Sequence, residues 1–579
     1  MLKKTISWLL ILALLCSCCM LSVFADGPSD DETAVTEGYH FKVTASDGTV
    51  TYGKFNETVA ADGARDGAFA NVASGSTITL LTNATIEREL HLNGVYTIDG
   101  AGKTLNTRLR SDSGSANVTV KNVTFDVTLT TSNGYFYQLN ANNKCVFENC
   151  TFDIKGEPGA GLFVQRGDLT IADSSFTYTT SSSKPVFFQE DALKEAKLPN
   201  TTFNLDNATN AKIGLPAGVN GTYYRYLKNA MDNAKAGNTI YLLEDYASTA
   251  NDRDRLYIDK QVTIDGNGHT VIANYPGYAV RVNDNIKGVV IRNLNIVQNG
   301  EGAALQMNAG SSATIEKSVI QCTGKTDRVM VMRGSLVLGS GTKVLGGDTE
   351  KNLVANGFRM DNSDANMTIQ SGVEINVSGK LYEVEGTVKV NGGSFTVGGK
   401  VLFREPTAAE FQNTEASIYM PSGNVATKNN SGIQFTTKVD KNWYDAITAM
   451  EGVTINSMGT LIVPKSYVDA ANGVFTKEAI EAAGKQCKVD IVNSGWYNAE
   501  TAAADGFYFY AGVIVKLSAA TVSGELVGIG YVTVTVEGLG TFTIYGNQLH
   551  AKVSDLAASW NANDEAQQNV LNFFRGNAG

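Results

Sequence analysis

One eight-residue pattern, apolar-x-apolar-x-turn-x-x-apolar, recurs through the first two thirds of the chain and leaves few folds open. It reads Val118-Thr-Val-Lys-Asn-Val-Thr-Phe125, Cys145-Val-Phe-Glu-Asn-Cys-Thr-Phe152 and Leu169-Thr-Ile-Ala-Asp-Ser-Ser-Phe176, and again Val289-Val-Ile-Arg-Asn-Leu-Asn-Ile296 and Ala313-Thr-Ile-Glu-Lys-Ser-Val-Ile320. Alternate residues are apolar, as in a strand buried on one face, and the turn position favours types that tolerate left-handed backbone angles. Phe125 and Phe152 are 27 residues apart, Phe152 and Phe176 are 24, and Ile291 and Ile315 are 24. A period in the twenties without helical spacing predicts a solenoid of parallel strands. One coil alone has nowhere to bury its inward residues, so the array is the folding unit.

The array is duplicated. Tyr96-Thr-Ile-Asp-Gly-Ala-Gly-Lys-Thr-Leu105 matches Val262-Thr-Ile-Asp-Gly-Asn-Gly-His-Thr-Val271, and the lead-in Gly67 to Leu81 matches Asn229 to Leu243. Leu227, Ala230, Met231 and Ala234, with Gly237 as a stop, predict a helix that covers the open end of a second stack; Ala68, Phe69, Val72 and Gly75 are a weaker version before the first. Two stacks are therefore expected, 39–212 and 213–405, with the boundary near Ile213-Gly-Leu-Pro-Ala-Gly218. Beyond Glu410 the period is lost. Gly432–Lys438, Gly459–Lys465 and Val527–Val536 alternate as strands, and Val553, Leu556, Ala557 and Trp560 predict a terminal helix. The expected class is all-β: two tandem β-helix stacks with short helical caps, and a sandwich-like β-rich module over 410–579 that ends in helix.

These repeats resemble the right-handed parallel β-helix proteins of the pectate-lyase-like superfamily over about 60–400. The resemblance implies fold far more than function. The hydrolases of that superfamily carry Asn-Thr-Asp, Asp-Asp, Gly-His-Gly and Arg-x-Lys motifs, and no such set occurs here. Its lyases need clustered carboxylates for calcium beside an Arg or Lys base; Asp361-Asn-Ser-Asp364 comes nearest and also fits a turn. No catalytic residue, metal ligand or cofactor is assigned, although a lyase or glycoside hydrolase with an unrecognised site is the rival reading. The C-terminal module is similar to one in secreted proteins of Gram-positive gut bacteria.

Residues 1–25 read as a signal peptide: Lys3 and Lys4, the apolar run Ile6 to Leu21, then Val23-Phe24-Ala25 for cleavage after Ala25. A degenerate lipobox, Leu15-Cys16-Ser17-Cys18, is the competing reading, with lipidation at Cys18. Residues 26–38 form an acidic tether, so no membrane span is expected once the signal is removed. Loss of Lys3 and Lys4 takes the formal charge from −11 to −13, which repels nucleic acid. Cys145, Cys150, Cys322 and Cys487 remain without metal spacing, and the first two are expected to be buried as small apolar residues. The four histidines form no cluster. The expected location is extracellular or at the cell surface.

A polar ladder follows the coil period. Its rungs are Gln138, Gln165 and Gln189 in the first half, then Arg281, Gln306, Arg333, Arg359, Glu383 and Arg404. At ~4.8 Å per coil, the second series is a stripe ~24 Å long. Guanidinium matches carboxylate and sulfate geometry, so Arg281, Gln306, Arg333, Arg359 and Arg404 are the candidate ligand-binding residues for an extracellular glycan or cell-surface polymer. The alternative is a solvated face in which Glu383 pairs with Arg359 or Arg404. Trp443-Tyr444, Trp496-Tyr497 and Phe507-Tyr-Phe-Tyr510 are further candidates, for stacking on sugar rings or for burial in the module's core.

Overall fold

A computed structural model describes residues 35, 38–57, 65–112, 114–181, 184–189, 195–205, 212–248, 255–324, 326, 328–347, 355–420, 432–493, 495–563 and 565–577. The expected signal peptide, residues 1–25, and nearly all of the expected tether, 26–38, lie outside the described residues. The chain is half strand and 11% helix, with about twelve solenoid turns over residues 76–397 and a β-rich region after them. It divides into two compact units, 1–230 and 231–579.

Each coil of the first unit has three short strands, each in a different parallel sheet. On the first face, Ser76–Leu80, Val95–Asp99, Asn117–Lys121, Lys144–Glu148 and Asp168–Ala172 bring Ile78, Ile98, Val120, Phe147 and Ile171 into one inward column. The second face stacks Leu105, Phe125, Phe152, Phe176 and Phe203, and the third Leu90, Leu109, Tyr137, Phe163 and Phe187. The Phe152 and Phe176 rings lie parallel, 4.2 Å apart. Cys145 and Cys150 are free and buried in this core.

The weaker helix expected at Ala68–Val72 is a run of turns. Buried Asp66 accepts hydrogen bonds from the Asn56 and Ala68 N–H groups, and Phe69 packs on Phe41 and Phe55. These contacts outweigh a helix too short to stand alone. An antiparallel hairpin, Phe41–Thr44 with Val50–Gly53, borders the first coil strand instead. At the other end, Thr222–Tyr224 lies antiparallel to Ala196–Lys197.

The stronger helix forms at Leu227–Asn233. Lys260 Nζ donates to the carbonyls of Met231 and Ala234 at 2.8 and 3.3 Å, placing a cation at the helix C-terminus, and Gly237 (φ +84°) ends the turn. In the second unit the coils again build three parallel sheets, the third from Leu256–Ile258, Gly277–Val282, Gly302–Met307, Arg328–Met332, Asn356–Met360 and Tyr382–Val384.

The duplicated Asp-Gly-x-Gly stretches form the same corner in each unit. Asp99 Oδ1 accepts from Ala101 N–H and from Asn122 of the next coil, both at 3.0 Å, while Lys121 lies 3.2 Å from Oδ2. Asp265 does the same with Asn267, Asn293 and Arg292 at 3.1, 3.2 and 2.9 Å. A side chain at Gly100 or Gly266 would strike the next coil's carbonyl, Asn122 O at 2.4 Å or Asn293 O at 2.5 Å. Asn bonding from coil to coil continues from Asn149 to Asn122.

After the last coil come a three-stranded antiparallel sheet (Phe411–Tyr419, Gly432–Asp440, Phe507–Val515) and a four-stranded one (Val453–Pro464, Val489–Val492, Glu525–Val536, Gly540–Lys552). They face each other closely: a Cβ on Gly528 would sit 2.3 Å from the Phe435 ring, and Tyr510 donates to the Gly459 carbonyl at 3.0 Å. Two terminal helices, Val553–Ser559 and Glu565–Asn577, bury Val553, Ala557, Leu571 and Phe574 against this core. No helix among the described residues is long and apolar enough to cross a membrane.

Candidate functional site

The edge of the third face in the second unit carries two stacked columns of side chains on the side of the strands away from the Leu305 and Met307 core, with Gln306 and Val331 themselves buried. Backbone register puts Tyr257, Arg281, Gln306, Val331, Arg359 and Glu383 in the first column. The N–H groups of Asn308, Arg333 and Asp361 each bond the coil before, at the carbonyls of Val282, Met307 and Met332, which sets them in a second column two residues on.

Four expected rungs, Arg281, Gln306, Arg359 and Glu383, therefore share a column, and Arg333 stands beside it. Met330 and Met332 both point inward, in register with Leu305 and Met307, so the outward position between them is Val331. Arg404 is off this face. It follows Lys400–Phe403, which pairs antiparallel with a second-face strand, and it ion-pairs with Glu410 at 2.8 Å. In the first unit Gln138 is outward, while Gln165 is fully buried and donates to the Gly167 and Glu195 carbonyls. The side chain of Gln189 lies outside the described residues.

The charges are unevenly matched. Arg359 and Arg333 both bond Asp361, Arg333 Nη2 at 3.1 Å. The Arg359 bond is the largest influence holding the Asp361 carboxyl below its usual range. The partner of Arg359 is thus Asp361, not Glu383, whose Oε1 accepts from Asn356 at 3.3 Å. Asp361-Asn-Ser-Asp364 is a turn in which Asn362 Oδ1 accepts from the N–H groups of Asp364 and Ala365, both at 2.8 Å. Among the described residues no three carboxylate, histidine or cysteine groups gather as metal ligands.

Arg281 differs. Its guanidinium lies 3.9 Å from the centre of the Tyr257 ring, and its Nε donates to Asn283 Oδ1 at 3.0 Å; among the described residues it has no ion-pair partner. On the next coil Gln306, 6% exposed, donates Nε2 to Asn308 at 2.7 Å, while its buried Oε1 accepts nothing among the described residues. An unfilled buried acceptor costs ~1–3 kcal/mol. The Gln306 oxygen is covered, so the group presented on these rungs is the Arg281 guanidinium, which suits a ligand offering an anionic group.

Of the second column, Arg333 and Asp361 were singled out in the sequence, whereas Asn283 and Asn308 were missed. The column's signal is a polar residue two places after each rung: Arg281-x-Asn283, Gln306-x-Asn308 and Arg359-x-Asp361. Of the aromatic candidates, Trp443 and Tyr510 are buried in the module, whereas Tyr497 is 61% exposed and Trp496 stacks on Tyr508 at 4.8 Å. Comparison with protein-family models, curated proteins and solved structures returns no match.

Proposed function

We propose that this chain is a secreted or cell-surface β-helical binding protein that grips an extracellular anionic glycan along the third-face edge of its second unit. In this reading it is a right-handed β-helix of the pectate-lyase-like superfamily, with two stacks, the second capped by Leu227–Asn233, and its signal peptide is cleaved after Ala25. The guanidinium of Arg281, which has no ion-pair partner among the described residues, carries the reading. A polymer with repeated hydroxyl and acidic groups matches repeated rungs: Arg281 to Arg359 spans three coil spacings, ~14 Å.

The test is titration of a sulfated and of a uronate oligosaccharide into the full chain at two ionic strengths, beside Arg281→Gln. Binding that weakens with salt and falls at least about tenfold in Arg281→Gln is expected. Equal, salt-insensitive affinities, or no binding by the unaltered chain, overturn the proposal.

A further inference from the structure

The third-face edge is itself duplicated. In the first unit the register runs His91, Arg110, Gln138, Val164, and in the second Tyr257, Arg281, Gln306, Val331. The residues two places on are Asp112, Asn140 and Arg166 in the first, and Asn283, Asn308 and Arg333 in the second. Both copies therefore present Arg-x-Asp/Asn, Gln-x-Asn and Val-x-Arg on three successive coils. Gln138 also bonds Asn140 as Gln306 bonds Asn308, at 3.2 and 2.7 Å.

The copies diverge at one functional group. Asp112 stands where Asn283 stands. Its two oxygens accept from Arg110 Nε at 2.8 and 2.9 Å, and it also takes a bond from Asn140. Arg110 spends Nη1 on Tyr135 and on Gln138 Oε1, both at 2.8 Å, so the acceptor left open at Gln306 is filled at Gln138. The surrounding titratable groups are His91, whose Nε2 lies 3.6 Å from Asp112, and Glu89. Burial first, and then Glu89, push the Tyr135 hydroxyl up to about 12, so it stays a neutral partner at physiological pH. In the second unit Asn283 offers a neutral oxygen, and Arg281 turns its face to Tyr257 with no ion-pair partner among the described residues.

We infer that the carboxylate of Asp112, against the amide of Asn283, decides which duplicated edge takes an anionic glycan: the first is closed by its own ion pair and the second is open. The inference rests on the glycan-binding reading above and adds the residue that sets where binding occurs. An anion approaching Arg110 must displace a carboxylate whose two oxygens already share its Nε–H, whereas one approaching Arg281 displaces only an amide oxygen.

The experiment is calorimetric titration of the full chain, Asp112→Asn and Asn283→Asp, with a sulfated hexasaccharide and a hexauronate as separate probes and circular dichroism to verify the fold of each variant. The expected results are one site in the unaltered chain, two in Asp112→Asn, and at least about tenfold weaker binding in Asn283→Asp. A response to one probe alone identifies sulfate or carboxylate as the recognised group. Binding lost in Arg281→Gln but unchanged in number and strength by both exchanges overturns this inference and leaves the glycan reading standing. No binding in the unaltered chain or in Asp112→Asn overturns both.

Discussion

Replacing Phe152 by Ala tests whether the stacked column on the second face holds the first unit together. Phe152 is fully buried, with rings parallel to it at 5.4 Å (Phe125) and 4.2 Å (Phe176) and edge contacts from Phe136, Phe147 and Phe163 within 5.9 Å. A buried Phe→Ala change costs ~3–5 kcal/mol when its surroundings cannot collapse. Two stacked partners, each worth ~0.5–1.5 kcal/mol beyond area, put this site at about 5 kcal/mol. Phe152→Leu keeps most of the volume and loses only the ring contacts, so about 2 kcal/mol is expected. Denaturant unfolding followed by circular dichroism and by tryptophan fluorescence measures the change. In a chain prepared without residues 1–25, which removes Trp8, the remaining Trp443, Trp496 and Trp560 all belong to the second unit and report on it, whereas dichroism also sees the first unit's strands. The early part of the dichroism curve should move to lower denaturant while the fluorescence curve stays in place. A loss below about 1 kcal/mol, or an equal shift in both signals, would refute the stack as the local source of stability.

Gly266→Ala should cost about 3 kcal/mol, because its Cβ meets Asn293 O and the Leu294 Cα at 2.5 Å, while Gly268→Ala, left-handed but facing open space, should cost only about 1 kcal/mol; equal losses in thermal unfolding would contradict the close-approach argument. Burial pushes the Asp265 carboxyl up, but bonds from Asn267, Asn293 and Arg292 outweigh it and hold the group below its ordinary value. A depressed folded pKa contributes stability above the unfolded value, near ~4, that is lost as pH falls through the folded one. The chain should therefore lose more stability between pH 5 and pH 2, in round terms, than Asp265→Asn does, and parallel curves from acid titration would remove the assignment. Incubation with polygalacturonate and calcium should yield no unsaturated product by ultraviolet absorbance, since Asp361 is held by two guanidinium groups; product formation abolished by Asp361→Ala would establish a lyase instead.

What the sequence determined by itself is the coil. Alternating apolar residues such as Val118, Val120, Phe125 and Phe152 must face inward wherever they are strands, and Asn122 and Asn149 must sit at left-handed corners, because both rules act within a few residues. The strands of the C-terminal module were legible for the same reason. The tertiary structure alone decided which coils' residues meet. Loops between strands differ in length, and a one-residue change of register exchanges the two faces. That is why Gln165 points into the core while Gln138 points out, and why Val331 takes the place that periodic spacing gives to Arg333. Ion pairs depend on that register too: Asp361 reaches Arg333 from 28 residues away, and Asp112 closes an edge that Asn283 leaves open. Local pattern sets which residues are outward, but contact between coils sets which charges are already satisfied, and a binding edge is made of those that are not.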